Sequence, residues 1–178
     1  MDLNAKQRKV LFNEDLGRPL AIAVDPSKGL IFWANELGIE RASMDGNDRM
    51  TIAKFKYVSW KLGIALDIFD GRVYWADAYK HTIASVDYNG NDWRTILHSD
   101  TYIKDPLTLA MFEEKLYWTD WAQGSVHVMN KFNSTEVRQF ESTIVLLNQN
   151  FQTNVINMFA VMVPYAFQKA IIVRQNIF

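Results

Sequence analysis

Leu62-Gly63-Ile64-Ala65-Leu66-Asp67-Ile68-Phe69-Asp70-Gly71-Arg72-Val73-Tyr74-Trp75-Ala76-Asp77 decides the fold. Two short apolar runs flank Asp70-Gly71, a pair suited to the positive φ of a tight hairpin turn. The stretch recurs on either side. Leu20-Ala21-Ile22-Ala23-Val24-Asp25 runs through Pro26 and Gly29 to Leu30-Ile31-Phe32-Trp33-Ala34-Asn35. Leu107-Thr108-Leu109-Ala110-Met111-Phe112 runs through Glu113-Glu114 to Lys115-Leu116-Tyr117-Trp118-Thr119-Asp120. Trp33, Trp75 and Trp118 stand 42 and 43 residues apart. A fixed period of this length marks a stacked-repeat architecture.

Each copy continues in the same way. A third strand is expected at Ile39–Ser43, Thr82–Val86 and Ser125–Met129. Asp45-Gly46 and Asn89-Gly90 follow the first two as hairpin signals. A fourth strand is expected at Arg49–Ile52, Arg94–Leu97 and Glu136–Phe140. Four antiparallel strands per copy make one blade of a β-propeller. The first strand of each copy is almost wholly apolar and reads as covered on both faces. The Trp of each copy is expected to pack between neighbouring blades, where burial of such a ring is worth about 2–3 kcal/mol. The residue two places on (Asn35, Asp77, Asp120) reads as an acceptor for backbone N–H groups across the blade junction, with metal ligation as the alternative.

The totals narrow the function. The chain has 178 residues, 19 basic and 20 acidic side chains and a net charge of −1. That balance argues against nucleic acid as a partner, since phosphate binding needs a basic excess. There is no cysteine, which excludes disulfide-rich modules from this chain and leaves its compartment open. The first residues hold no apolar stretch of signal-peptide type. Met158–Phe167, interrupted by Pro164, is about half the length of a membrane span. His81, His98 and His127 lack metal-site spacing. No nucleophile turn and no glycine-rich phosphate loop is visible. No catalytic residue, cofactor or metal is expected, and the chain reads as a recognition protein rather than an enzyme.

Tyr117-Trp118-Thr119-Asp120, with Pro19, Ile22-Ala23-Val24-Asp25-Pro26, Met44-Asp45-Gly46 and Arg49, resembles the class B (Tyr-Trp-Thr-Asp) repeats of the low-density lipoprotein receptor family. The resemblance covers residues 1 to about 140 and implies an all-β fold: a partial six-bladed β-propeller of about three four-stranded blades, with an unassigned C-terminal tail. Six blades need about 260 residues at this period, and the three here most resemble the closing half. The expected divisions are 1–16, the end of a preceding blade with Arg8–Leu11 as its fourth strand; blades at 17–57, 58–101 and 102–140; and 141–178, a divergent tail, helical or disordered. Three blades leave two apolar faces uncovered, so the chain by itself is expected to be marginally stable or to aggregate.

The resemblance also implies a role: part of an extracellular endocytic receptor at the plasma membrane and endosome. It would bind protein ligands of lipoprotein or yolk-protein type together with neighbouring receptor modules, and release them in acid. His81 and Trp60 match a pH-sensitive surface of the family, where a histidine near neutrality can turn cationic. An ordinary strand-end histidine and a packed inter-blade Trp are the competing readings. Trp121 takes a place that often lines the ligand face, with rim packing as the alternative. Two positions depart from the family: Asp105 stands where a second histidine can occur, and Glu36 where a rim Trp is frequent. Asn133-Ser134-Thr135 is a glycosylation acceptor expected in the turn before the fourth strand. The alternatives are a co-receptor or matrix interaction scaffold without a release switch, and a metal-dependent propeller hydrolase.

Overall fold

The computed structural model describes residues 10–57 and 62–141. Among the described residues there are twelve strands and no helix. The first sheet holds β1 (Pro19–Asp25), β2 (Leu30–Asn35), β3 (Gly38–Ser43) and β4 (Met50–Lys54). The second holds β5 (Ile64–Asp67), β6 (Arg72–Asp77), β7 (Thr82–Asp87) and β8 (Arg94–His98). The third holds β9 (Pro106–Phe112), β10 (Lys115–Asp120), β11 (Ser125–Asn130) and β12 (Asn133–Glu141). Each is a four-stranded antiparallel meander in chain order. The chain is an all-β arc of three propeller blades.

The registers show that the three copies are equivalent residue by residue. Trp33 faces Ile22 on the first strand and Glu40 on the third. Trp75 faces Ile64 and Ala84, and Trp118 faces Leu109 and His127. Successive side chains on a strand point to opposite faces, so each aromatic-Trp pair divides between two junctions. Phe32 and Ala34 join Ile39, Ile52 and Ala53 in one core with Leu62, Ile64, Val73 and Trp75 of the second blade. Tyr74 and Ala76, on the other face of β6, join Ile83 and Leu97 in a second core with Ile103, Leu109, Leu116 and Trp118. The fold is therefore two inter-blade cores in series rather than one central core.

Two glycines permit the close approach. A Cβ on Gly63 would lie 2.8 Å from both the Leu109 nitrogen and the Thr108 Cα, so the innermost strands meet backbone to backbone. A Cβ on Gly90, at φ 85°, would lie 3.0 Å from the Ile52 carbonyl oxygen, where the outer turn of one blade rests on the blade before.

Some expectations need correction. β1 is not covered on both faces: Ile22 and Val24 are exposed, because among the described residues no blade precedes them, whereas β5 and β9 each follow one. β12 begins at Asn133 rather than Glu136, since the connection from β11 is only Lys131-Phe132. The glycosylation triplet therefore occupies the first residues of a strand rather than a turn. Val10 and Leu11 form no strand. The rest of the expected strand at Arg8–Leu11, Trp60, and the tail beyond Glu141 lie outside the described residues.

Candidate protein-recognition face

The turns between second and third strands share one end of the arc with the linkers between blades. Backbone bonds fix this: Phe55 N–H donates to the Leu37 carbonyl (2.8 Å), Ser99 to His81 (2.9 Å) and Trp121 to Asp105 (2.9 Å). The polar residue of each repeat motif shapes the same end. Asp120 Oδ2 accepts the N–H groups of Lys104 (2.7 Å) and Asp105 (2.9 Å), and its Oδ1 accepts that of Gln123 (3.2 Å). It holds the incoming linker and its own turn at once. Asn35 accepts from Leu37 N–H (2.9 Å) and donates to the Leu16 carbonyl (3.3 Å) and to Glu40 (2.9 Å). Asp77 accepts from Tyr79 (2.9 Å) and Lys80 (3.1 Å) within its turn. All three are buried, and these bonds stand in for the water they lose.

The three Trp rings lie at the corresponding places, each with different company. Trp118 donates its Nε1–H to the Tyr102 carbonyl (2.9 Å) and stacks on His127, with centroids 5.2 Å apart. Trp75 meets Phe55 at 5.9 Å and the edge of Trp93 at 4.6 Å. Trp33 meets Phe12 at 5.0 Å, with the Arg49 guanidinium 5.4 Å from its ring. Arg49 also donates to the Glu14 and Asp15 carbonyls and pairs with Glu40. Residues 12–15 thus dock on the first blade as Phe55 docks on the second.

His81 is half-buried at φ 52°. By register it is the counterpart of Gly124, φ 57°, in the third blade, so the second blade puts a side chain where the third uses glycine. Left-handed backbone at a non-glycine residue costs about 1–2 kcal/mol. The ring is held: Nδ1 donates to the Ile103 carbonyl at 2.6 Å. A carbonyl only accepts, so Nδ1 carries the hydrogen and Nε2 is the nitrogen left to take up a proton.

Trp121 is exposed on the turn after Asp120. Tyr57 and Tyr79, with ring centroids 5.2 Å apart, are exposed at the same end, as is Leu37. The sequence reading missed this tyrosine pair. Its visible signal was an aromatic in a turn otherwise built of small and charged residues, Ala78-Tyr79-Lys80. Glu36, at the position without a rim Trp, accepts the Arg18 N–H at 2.5 Å. Asn133 is exposed, and its Oδ1 accepts from Thr135 N–H (3.1 Å) and Oγ1 (2.6 Å).

The opposite end carries the inter-blade polar links. Tyr88 donates to Asp25 Oδ2 at 3.2 Å. One blade on, Lys131 pairs with Asp67 and, at 2.6 Å, with Asp70. Burial pushes the Lys131 ammonium down, but the bonds to Asp67 and Asp70 outweigh it and hold it above its usual range. Phe69 and Phe132 stand exposed beside this pair. Among the described residues no three His, Cys, Asp or Glu side chains cluster as a metal site, and no helix is long and apolar enough to cross a membrane.

Comparison with known proteins agrees with this geometry. Residues 71–113 match the low-density lipoprotein receptor repeat class B family. The chain is 42% identical over 127 residues to vitellogenin receptor Yl of Drosophila melanogaster, covering 70% of this chain and 6% of that protein. It is 30% identical over 125 residues to the vitellogenin receptor of Solenopsis invicta, covering 69% and 7%. It is 29% identical over 136 residues to the human low-density lipoprotein receptor-related protein 5-like protein, covering 72% and 51%. Among solved structures, a chain of the nidogen/laminin complex matches with TM-score 0.69 and 26% identity, over 79% of this chain and 53% of that one. Virginiamycin B lyase from Staphylococcus aureus matches with TM-score 0.56 and 14% identity, over 70% and 41%, a likeness of fold alone. The chain spans a small fraction of the two vitellogenin receptors and about half of the third relative.

Proposed function

Because the chain carries class B low-density lipoprotein receptor repeats, we propose that it serves as part of the extracellular propeller of an endocytic receptor whose ligands are yolk-type or lipoprotein particles. The observation that carries this reading is the end of the arc where Trp121, Tyr57, Tyr79 and Leu37 are exposed and His81 is half-buried. Aromatic residues supply interface anchors at low entropy cost. Identity of 42% to a vitellogenin receptor supports the ligand class.

In this reading His81 is the acid sensor. Its Nδ1 already donates to the Ile103 carbonyl, which fixes the orientation of the ring. A proton taken at Nε2 adds a positive charge beside the aromatic anchors and favours acidic, cysteine-rich ligand-binding modules of the same receptor, which then displace ligand. The same reading counts Trp60, which lies outside the described residues, among the partner-binding residues, and glycosylation at exposed Asn133 fits an extracellular position.

The test is binding of isolated acidic ligand-binding modules at pH 7.4 and 5.5. Tighter binding at pH 5.5, abolished by His81→Ala, is the expected result. Equal affinity at both pH values rejects the release role and favours the second reading, an interaction scaffold without a switch. That reading has support in Glu36 and Asp105, which put carboxylates where a cationic switch would want a ring or a base, and in the likeness to a chain of the nidogen/laminin complex.

A further inference from the structure

The end of the arc away from Trp121 carries two phenylalanines in the open: Phe69 is 95% exposed and Phe132 is 72% exposed. Neither owes this to the ends of the chain. Phe69 belongs to the middle blade, which has a described blade on either side. The residues that match Phe132 by register in the other two blades, Asp45 and Asn89, are exposed as well, so this turn stands open even on a blade that another follows. Lys131 ties the two turns together. Its Nζ lies 4.8 Å from the Phe132 ring centroid and bonds to Asp67 and Asp70, the carboxylates that flank Phe69 in its turn. Asn133 is the next residue along the chain. It is exposed and begins β12, the outer strand of its sheet. Its Oδ1 accepts from Thr135 N–H and Oγ1, while its Nδ2 makes no hydrogen bond among the described residues. Asn133-Ser134-Thr135 is the one glycosylation acceptor triplet in the 178 residues.

We infer that Asn133 carries an N-linked glycan whose innermost sugars lie over Phe132 and Phe69, which makes this end of the arc a sugar-covered face closed to protein partners. In the transfer, Asn133 Nδ2 loses one proton and bonds to the anomeric carbon of a lipid-linked oligosaccharide. The bond from that carbon to the lipid diphosphate breaks, and the lipid diphosphate leaves. An N-acetylglucosamine ring has a face of C–H groups, which suits the electron-rich face of a phenyl ring. The Lys131 ammonium lies over one face of Phe132 and leaves the other to the sugar. A glycan bonded to the neighbouring residue stays at high effective concentration above these rings, an advantage that no free partner has. The inference deepens the extracellular reading and rests on it, since attachment requires a secreted protein.

The experiment secretes the full 178-residue chain from animal cells behind a heterologous signal peptide. Oxidation by hydroxyl radicals is then mapped residue by residue with mass spectrometry, before and after an amidase removes N-linked glycan. Imposed secretion separates this inference from the receptor role, which the binding of ligand modules tests by itself. The tryptic peptide Phe132–Arg138 is expected to carry carbohydrate, lost in Asn133→Gln and in Thr135→Ala. With the glycan in place, Phe132 and Phe69 should oxidise severalfold more slowly than after its removal or in Asn133→Gln. Exposed Trp121 at the other end should not change, and buried Trp118 should stay slow throughout, the sign of an intact fold. A secreted chain whose Phe132–Arg138 peptide is unmodified overturns the proposed attachment. A glycosylated chain whose Phe69 and Phe132 oxidise as fast as in Asn133→Gln overturns the covering role.

Discussion

Lys131 reaches Asp67 across the second junction at the place where Tyr88 reaches Asp25 across the first. Two solutions to one contact sit side by side in a single chain: an ion pair and a neutral hydroxyl. At the first junction burial works against the Asp25 charge, but bonds from Ser27, Lys28 N–H and Tyr88 prevail and hold it below the usual carboxylate range. At the second, Lys131 and Asp67 are both buried, and an unpaired carboxylate there would be costly.

Lys131→Ala should therefore destabilise the chain by about 3 kcal/mol, the cost of stranding one member of a buried pair. Lys131→Tyr, which copies the first junction, should lose less. Urea denaturation midpoints compare the two directly, and equal losses would count against the equivalence of the junctions.

His127 makes stability sensitive to acid. Its ring is fully buried against Trp118 and Tyr102, Nε2 meets Ser125 Oγ at 2.8 Å, and Nδ1 has no partner among the described residues. Burial pushes its pKa below the ordinary value, against a smaller opposing pull from Asp120. The unfolded chain then binds the proton more readily than the folded one. Stability is full above about pH 6.5 and falls as pH drops through the unfolded value toward the folded one. His127→Phe should flatten this dependence, as read from urea midpoints at pH 7.4 and 5.5. A variant as acid-labile as wild type would place the sensitivity elsewhere.

Gly63→Ala should cost about 1–3 kcal/mol through overpacking, because its methyl group meets backbone atoms of β9 that cannot rotate away. Gly29→Ala tests a different cost: nothing stands within 4 Å of that Cβ, and only its φ of 63° resists the side chain. Thermal melts of the two variants should show the larger loss at Gly63.

Trp121→Ala and Tyr79→Ala should weaken capture of a yolk-type or lipoprotein ligand by about 2 kcal/mol at the stronger anchor while leaving the melting temperature unchanged, since both rings are exposed. Binding titration beside a thermal melt separates the two effects. A ligand indifferent to both changes would point to the opposite end, where Phe69 and Phe132 stand exposed.

Much of the fold could be read from the chain because local signals and the 42- and 43-residue spacing agree. The hairpin residues Gly29 and Gly71 take positive φ, and where the third copy lacks glycine Glu113 takes it instead, at 53°. What could not be read was mostly a matter of neighbours. An apolar first strand predicts burial, but whether Ile22 is covered depends on a blade that no feature of β1 encodes. The Lys131–Asp67 pair joins residues 64 positions apart, and only superposing the copies reveals the partnership. His81 was visible as a histidine at a strand entrance, yet its left-handed backbone and its bond to Ile103 come from a linker whose path the sequence leaves open.

The opposed directions of Phe32 and Trp33, repeated at Tyr74 and Trp75, bear on how such genes can be shuffled. A duplication or deletion is tolerated only when its two breakpoints fall at the same phase of the repeat, so that every aromatic keeps a counterpart of the matching type. Exchange out of phase would join two sheets by like sides and disrupt both seams at once, which selects for whole-period steps in the evolution of these chains.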